Sequence, residues 1–272
     1  MEDIMNYWKQ SKKNIYVAAH RGFMGAYPEN TIPSFKAALD LGVDQIEFDV
    51  RVTADGELVV IHDAKVDRTT GGTGKVCEKT LAELKALDAG IHMGEQFKGV
   101  QIPTLIEAMD LFKQYPELTL DIELKEYPSE NENAFEICDR ILKIVDDYGF
   151  TDRVVINSFS NELNEYVYKT YGKKYRQHVF FPINWLRGPA TVDPYSYAYC
   201  ACMFRTFYND AVNLASAADV EAMDKLGVQS WAGAAVRDEF TVDKAIAAGV
   251  QLITTNYPDV VLDLLRKKGY HN

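Results

Sequence analysis

The chain has 272 residues, 47% hydrophobic and 25% charged, with a formal net charge of −11. That balance is ordinary for a soluble globular protein, and no apolar run approaches the ~18 residues of a membrane span, so no stable membrane insertion is expected. An acidic chain also lacks the basic footprint that nucleic acid needs, so any phosphate bound here must be held by local cations or a metal.

The beginning, Met1-Glu2-Asp3-Ile4-Met5, lacks the basic start and apolar core of a secretory signal. The expected location is the cytoplasm, or the periplasm or exterior if a leader has been removed. Cys77, Cys138, Cys200 and Cys202 form no CxxC pair and are too sparse to staple the chain, so reduced thiols are expected.

In chain order, a β-prone run from Ile15 to Ala19 ends abruptly in His20-Arg21-Gly22. Asn30 to Gly42 reads as a helix with Thr31 as N-cap and Gly42 as the stop. A second apolar run, residues 45 to 50, carries Glu47 and Asp49, and strand alternation points both carboxylates the same way. Leu58 to Ile61 follows a turn signal at Ala54-Asp55-Gly56-Glu57, reads as a hairpin on the second strand, and closes on His62-Asp63.

Residues 64 to 101 break the rhythm and read as an insertion beside the mouth of the site. Their Gly71-Gly72-Thr73-Gly74 run ends in no Lys-Ser/Thr, so it is a turn and not a phosphate loop. A helix at Thr104 to Tyr115 leads to a strand, Leu118 to Lys125, with Glu123 and Lys125 on one face.

Alternation then becomes regular, with helices near 134–148, 162–170, 218–226, 241–248 and 260–268 and strands near 154, 178, 228 and 250. Residues 182 to 216 have no firm period, and a strand near Ala211 to Ala215 would complete eight. Eight βα units imply an α/β fold, a closed (β/α)8 TIM barrel occupying residues 1–272 as one domain with a small insertion. A doubly wound sheet is the runner-up, but no GxGxxG follows the first strand.

Glu47, Asp49 and Glu123 would converge at one rim. Close carboxylates repel unless a cation holds them, and all-oxygen ligation suits Mg²⁺ or Ca²⁺. The plain alternative is pairing with Arg51 or Lys125. His20 and His62 both stand where a strand runs into its loop, as a base and acid pair would. Arg21 offers a planar fork for phosphate and Lys125 a point charge. His92 and His178, isolated in sequence, are expected in structural sites.

The segments His20-Arg21-Gly22, Pro28-Glu29-Asn30-Thr31, Glu47-Phe48-Asp49-Val50, His62-Asp63, Asp67-Arg68-Thr69-Thr70, Pro103-Thr104-Leu105, Glu123-Leu124-Lys125, Ser158-Phe159 and Thr254-Thr255-Asn256-Tyr257-Pro258-Asp259, in this order, resemble the glycerophosphodiester phosphodiesterase family. The resemblance implies a phospholipase C-like phosphodiesterase barrel that hydrolyses a glycerophosphodiester to an alcohol and glycerol 3-phosphate. It implies one metal on Glu47, Asp49 and Glu123, a catalytic pair His20 (base) and His62 (acid), and phosphate contacts from Arg21 and Lys125. A glycerol hydroxyl, lowered in pKa by the metal, would attack phosphorus, and water would open the cyclic phosphate.

Two features depart from the family. Trp231-Ala232-Gly233-Ala234 replaces a polar Trp-Thr-Val-Asn pattern, and Phe180 to Tyr208 is dense in aromatics, expected as core or lid packing ahead of a choline cage. The competing functions are a non-catalytic phosphodiester-binding protein and a phospholipase D-like activity on lysolipids.

Overall fold

The computed structural model describes residues 6–204 and 214–272. Strand β1 (Tyr16–His20) pairs in parallel with β2 (Gln45–Val52), which carries β3 (Leu58–Val60) as an antiparallel hairpin. The remaining strands are β4 (Thr119–Leu124), β5 (Val154–Asn157), β6 (Arg176–Phe181), β7 (Cys200–Met203), β8 (Gln229–Ala232) and β9 (Leu252–Thr255). Leaving out β3, eight strands pair in parallel in chain order, and β9 returns to β1, which closes the barrel. The expected TIM barrel is therefore the observed one.

The expected strand near Ala211 to Ala215 is not the one that completes the set. Residues 211–213 lie outside the described residues, and Leu214 and Ala215 are not in a strand. The place between β6 and β8 is taken by Cys200–Met203, which pairs with both. Its four residues, Cys-Ala-Cys-Met, lack the β-branched residues that mark a strand, so propensity gave no signal.

The α-helices are α1 (Ile32–Leu41), α2 (Leu81–Lys85), α3 (Leu105–Phe112), α4 (Ala134–Asp147), α5 (Asn161–Tyr171), α6 (Ala217–Leu226), α7 (Glu239–Ala248) and α8 (Pro258–Lys268). Thr31 caps α1 by accepting from the Ser34 amide, and Gly42 ends it in the left-handed conformation, as the sequence indicates. Outward strand residues such as Phe48, Ile122 and Ile156 join Phe35, Met109 and Phe112 from the helices in the main core.

Strand alternation turns the other residues inward. Toward the amino ends of the strands they are apolar, with Trp231 fully buried among Tyr16, Val155, Cys200 and Leu252, and Trp8 packed underneath. Toward the carboxyl ends they become Glu47, Asp49, Asp121, Glu123, Asn157 and His178, all buried. Segment 64–101 builds a small core of its own from Val66, Val76, Leu84 and Ala89 against Val59 and Ile61 of the hairpin.

One buried cation ties a helix end to the barrel wall. Arg153, just before β5, donates from Nη1 to the carbonyls of Tyr115 (2.6 Å), Pro116 (3.4 Å) and Leu118 (3.2 Å), and from Nη2 to that of Phe112 (3.2 Å). Burial lowers its pKa to about 10, so it remains charged at neutral pH. These acceptors end α3 and the loop into β4, where a positive charge also complements the helix dipole. Arg153→Ala leaves several carbonyls without donors and should cost about 3 kcal/mol of stability in urea unfolding, with native circular dichroism below the transition.

Candidate active site

Strand register sets the carboxylates. In the β2–β4 ladder Asp49 lies opposite Glu123 and Glu47 opposite Asp121, so all four point into the barrel near its carboxyl-terminal mouth. Glu47, Asp49 and Glu123 each bring a carboxylate oxygen within 4.8 Å of the others. All three are buried, Asp49 completely.

Their ionisation differs because their partners differ. Burial, with repulsion from Asp49 and Glu123 added, pushes the Glu47 carboxyl well above its usual range. Glu123 is also raised by burial, against the pull of Lys125. Burial acts the same way on Asp49, but the Lys125 and Arg21 charges override it and hold that carboxyl low. Three buried carboxylates thus face two side-chain cations.

Lys125 bridges the pair, with its Nζ 3.1 Å from Asp49 Oδ1 and bonded to Glu123 Oε1. Arg21 Nε lies 3.4 Å from Asp49 Oδ2, while its Nη1 donates to Glu29 at 2.9 Å. The plain pairing alternative is thus partly realised through Lys125. Arg51 is turned away, donating to the carbonyls of His62 and Lys125 and lying 3.8 Å from Glu126.

The turn after β1 is built for this convergence. Arg21 and Gly22 are both left-handed (φ 55° and 78°), and a Cβ on Gly22 would meet Ser34 Oγ at 2.5 Å. Only glycine fits there. The Arg21 amide donates to Glu47 Oε2 at 3.0 Å, fixing that carboxylate. Asn30, also left-handed at φ 55°, donates from its side-chain amide to Asp49 Oδ2 at 2.7 Å.

The histidines have unlike surroundings. His20 Nδ1 lies 2.6 Å from Asn256 Oδ1, so it carries the proton, and Nε2 is the lone-pair atom, 3.8 Å from Glu47. Burial and the neighbouring Arg21 charge lower its pKa to about 3. His62 Nδ1 instead donates to the Asp63 carboxylate at 2.6 Å, an acceptor that stabilises imidazolium. Burial still lowers its pKa, opposed by the Asp49 charge.

Arg68 binds both Asp63 and Glu29, and Glu29 binds Arg21. Burial opposes ionisation of Glu29, but its bonds to Arg68 and Arg21 bring its pKa down to about 2. A chain of charges therefore joins the loops of the two histidines.

His20, Arg21, Glu47, His62 and Glu123 line one cavity of about 400 Å³. Its opposite wall is Phe159, Phe180, Phe204, Cys202 and residues 233–235. The rest of the aromatic stretch is mostly packing, with Tyr197 stacked on Tyr168 and Trp185 donating to the Phe204 carbonyl. Phe207 and Tyr208 lie outside the described residues.

Sequence reasoning gave no role to Glu29, Asn30, Asp63, Arg68, Asn157, Asn256 or His178. His178 lines this same cavity while its Nδ1 is bonded to Asp121. Inward alternation along β6 was the available signal. His92 is not among the cavity's residues.

Residues 20–260 match the family described as Glycerophosphoryl diester phosphodiesterase. A glycerophosphodiester phosphodiesterase of Caldanaerobacter subterraneus is 39% identical over 93% of this chain and 98% of its own length. A Bacillus subtilis protein named as a putative enzyme of the same kind is 32% identical over 94% and 99%. Among solved structures, a putative glycerophosphoryl diester phosphodiesterase from Silicibacter pomeroyi superposes with a TM-score of 0.80 at 26% identity, covering 95% of each chain. An Oleispira antarctica phosphodiesterase, solved with the product sn-glycerol-3-phosphate, superposes at 0.77 with 25% identity, covering 92% and 96%. These matches set aside the non-catalytic alternative: the chain belongs to the glycerophosphoryl diester phosphodiesterase family and is a phosphoric diester hydrolase acting on glycerophosphodiesters.

Proposed function

We propose that the chain hydrolyses glycerophosphodiesters to an alcohol and sn-glycerol 3-phosphate with one divalent cation, Mg²⁺ or Ca²⁺, held by Glu47, Asp49 and Glu123. The observation that carries this is a cluster of three buried carboxylates, two of which, Glu47 and Glu123, line the same cavity as two unlike histidines. The donor set fits a hard cation, because every available ligand is oxygen and two of the carboxyls are unfavourable as anions without more positive charge. A bound cation stabilises negative charge on phosphoryl oxygen and eases deprotonation of a neighbouring hydroxyl.

The charge count supports the substrate. Three carboxylates outnumber Arg21 and Lys125, and a divalent ion offsets that excess so that a phosphodiester monoanion can approach. Arg21 and Lys125 then neutralise the phosphoryl oxygens as charge builds at phosphorus.

His20 is the base. Its neutral form and its free Nε2 suit it to take the proton of the attacking glycerol hydroxyl. His62, bonded to Asp63, is the acid that protonates the leaving alcohol oxygen. Environments that differ in this way separate the roles of two otherwise identical groups. When water opens the cyclic phosphate, His62 takes the water's proton and His20 returns one to the glycerol oxygen.

Glu123→Gln should abolish metal-dependent turnover of glycerophosphocholine while leaving the far-UV spectrum unchanged. Full turnover in that variant, or in excess EDTA, would exclude the cation. His20→Ala and His62→Ala should each lower turnover by ~10²-fold or more. A substrate whose leaving alcohol has a low pKa needs little protonation, so it should rescue His62→Ala and not His20→Ala. Rescue of His20→Ala instead would reverse the two roles.

A further inference from the structure

Below the metal-ligating carboxylates, the same cavity holds a second polar group. Asp121 on β4 accepts from Asn157 Nδ2 on β5 through Oδ1 (2.6 Å) and from His178 Nδ1 on β6 through Oδ2 (2.7 Å). Both oxygens of the carboxylate are engaged, which fixes its neighbours. An amide bound to a carboxylate presents nitrogen to it, so Asn157 must turn Oδ1 the other way. An imidazole bound to a carboxylate presents N–H, so His178 must turn Nε2 the other way.

These two outward atoms, Asn157 Oδ1 and His178 Nε2, are buried and have no nitrogen or oxygen partner among the described residues, with only the Cys202 thiol as a weak acceptor beside the ring. Asn157 and His178 are 1% and 4% exposed, yet both line the cavity that also holds His20, His62 and Glu123. They stand opposite each other in the β5–β6 ladder, and Asn157 stands opposite Glu123 in the β4–β5 ladder. The unpartnered pair is therefore one and two strands away from a carboxylate of the proposed metal site.

We propose that Asn157 and His178 form a hydroxyl-binding site that recognises the terminal glycerol hydroxyl, the one neither esterified to phosphate nor attacking phosphorus. The inference rests on the glycerophosphodiesterase reading above. A hydroxyl both accepts and donates, matching a ring N–H and an amide oxygen side by side. Burial acts to lower the His178 pKa, but the Asp121 carboxylate overrides it, with help from the Cys202 thiol, and brings the value to about 10. Nε2 therefore carries a proton at neutral pH.

The remaining far wall offers little competition for that proton. Gly233, Ala234 and Ala235 carry no polar side-chain atoms, Phe159, Phe180 and Phe204 supply only rings, and the Cys202 sulfur is a weak acceptor beside a hydroxyl oxygen. A glycerol held at its attacking hydroxyl by the mouth of the site and at its terminal hydroxyl by this pair is oriented at both ends. A lysolipid, whose terminal hydroxyl is esterified, cannot donate to Asn157. The site thus selects free glycerophosphodiesters over lysolipids.

The test compares glycerophosphocholine with 2-hydroxypropyl phosphocholine, which has the same attacking hydroxyl and leaving alcohol but a methyl group in place of the terminal CH₂OH. The wild-type enzyme should favour the glyceryl substrate in kcat/KM by roughly 10- to 100-fold, because the deoxy compound leaves a buried donor and acceptor unpaired. Equal values for the two substrates would overturn the proposal without any mutation.

His178→Gln keeps a donor for Asp121 but withdraws the ring nitrogen, and should collapse the ratio toward one by lowering only the glyceryl value. Because both substrates are measured on the same folded enzyme, partial loss of protein cancels. An unchanged ratio in a folded variant also overturns the assignment. Failure of the underlying reading looks different, since the wild-type enzyme would then turn over neither substrate.

Discussion

Three carboxylates buried side by side on two neighbouring strands are the constraint around which the barrel mouth is built. In a medium of low polarity they cannot all be ionised without nearby positive charge. The chain answers with Arg21 and Lys125 as fixed cations, backbone and amide donors on Glu47 and Asp49, and room for an ion. The same shortage of positive charge that makes the site unfavourable on its own is what suits it to the divalent cation proposed for it. Stability and chemistry draw on one electrostatic imbalance.

The barrel makes that imbalance tolerable by geometry. Period-two alternation sends Phe48, Ile122 and Ile156 outward into the helix layer and their neighbours inward. Within the lumen the character changes along the axis, from Trp231, Tyr16 and Leu252 at one end to acids, amides and histidines at the other. The apolar end excludes water and anchors the strands. The polar end, where the loops open, is where barrels of this class place their chemistry. Asp121 lies at the change of character and uses both its oxygens to hold Asn157 and His178.

Much of this is legible in the sequence, for identifiable reasons. Each strand that carries a metal-ligating candidate is a clear apolar run with its charges at alternate positions, so alternation points Glu47 and Asp49 one way and the adjacency of their strand to β4 adds Glu123. His20 and His62 follow because strand ends are recognisable. The strand at Cys200–Met203 is hidden because it is short, has no β-branched residue and follows irregular chain. Glu29 and Arg68 meet across 39 residues of chain, and no local spacing reports that. His178 is obscured by its isolation, since its partner Asp121 lies 57 residues away on another strand. The cavity's aromatic wall is the converse case: the composition is visible, but which rings face the lumen depends on the course of β6 and β7.

The chain of contacts from Arg21 through Glu29, Arg68 and Asp63 to His62 gives segment 64–101 a part beyond covering the hairpin. Arg68 comes from that segment and is half exposed, yet it clasps acids from both histidine-bearing loops. The insertion is therefore a buckle, and its placement is transmitted to the orientation of His62. A relative whose insertion differs in length could keep the same barrel and lose the alignment of the corresponding histidine. Transplanting this loop between enzymes would transfer function only when the guanidinium travels with it.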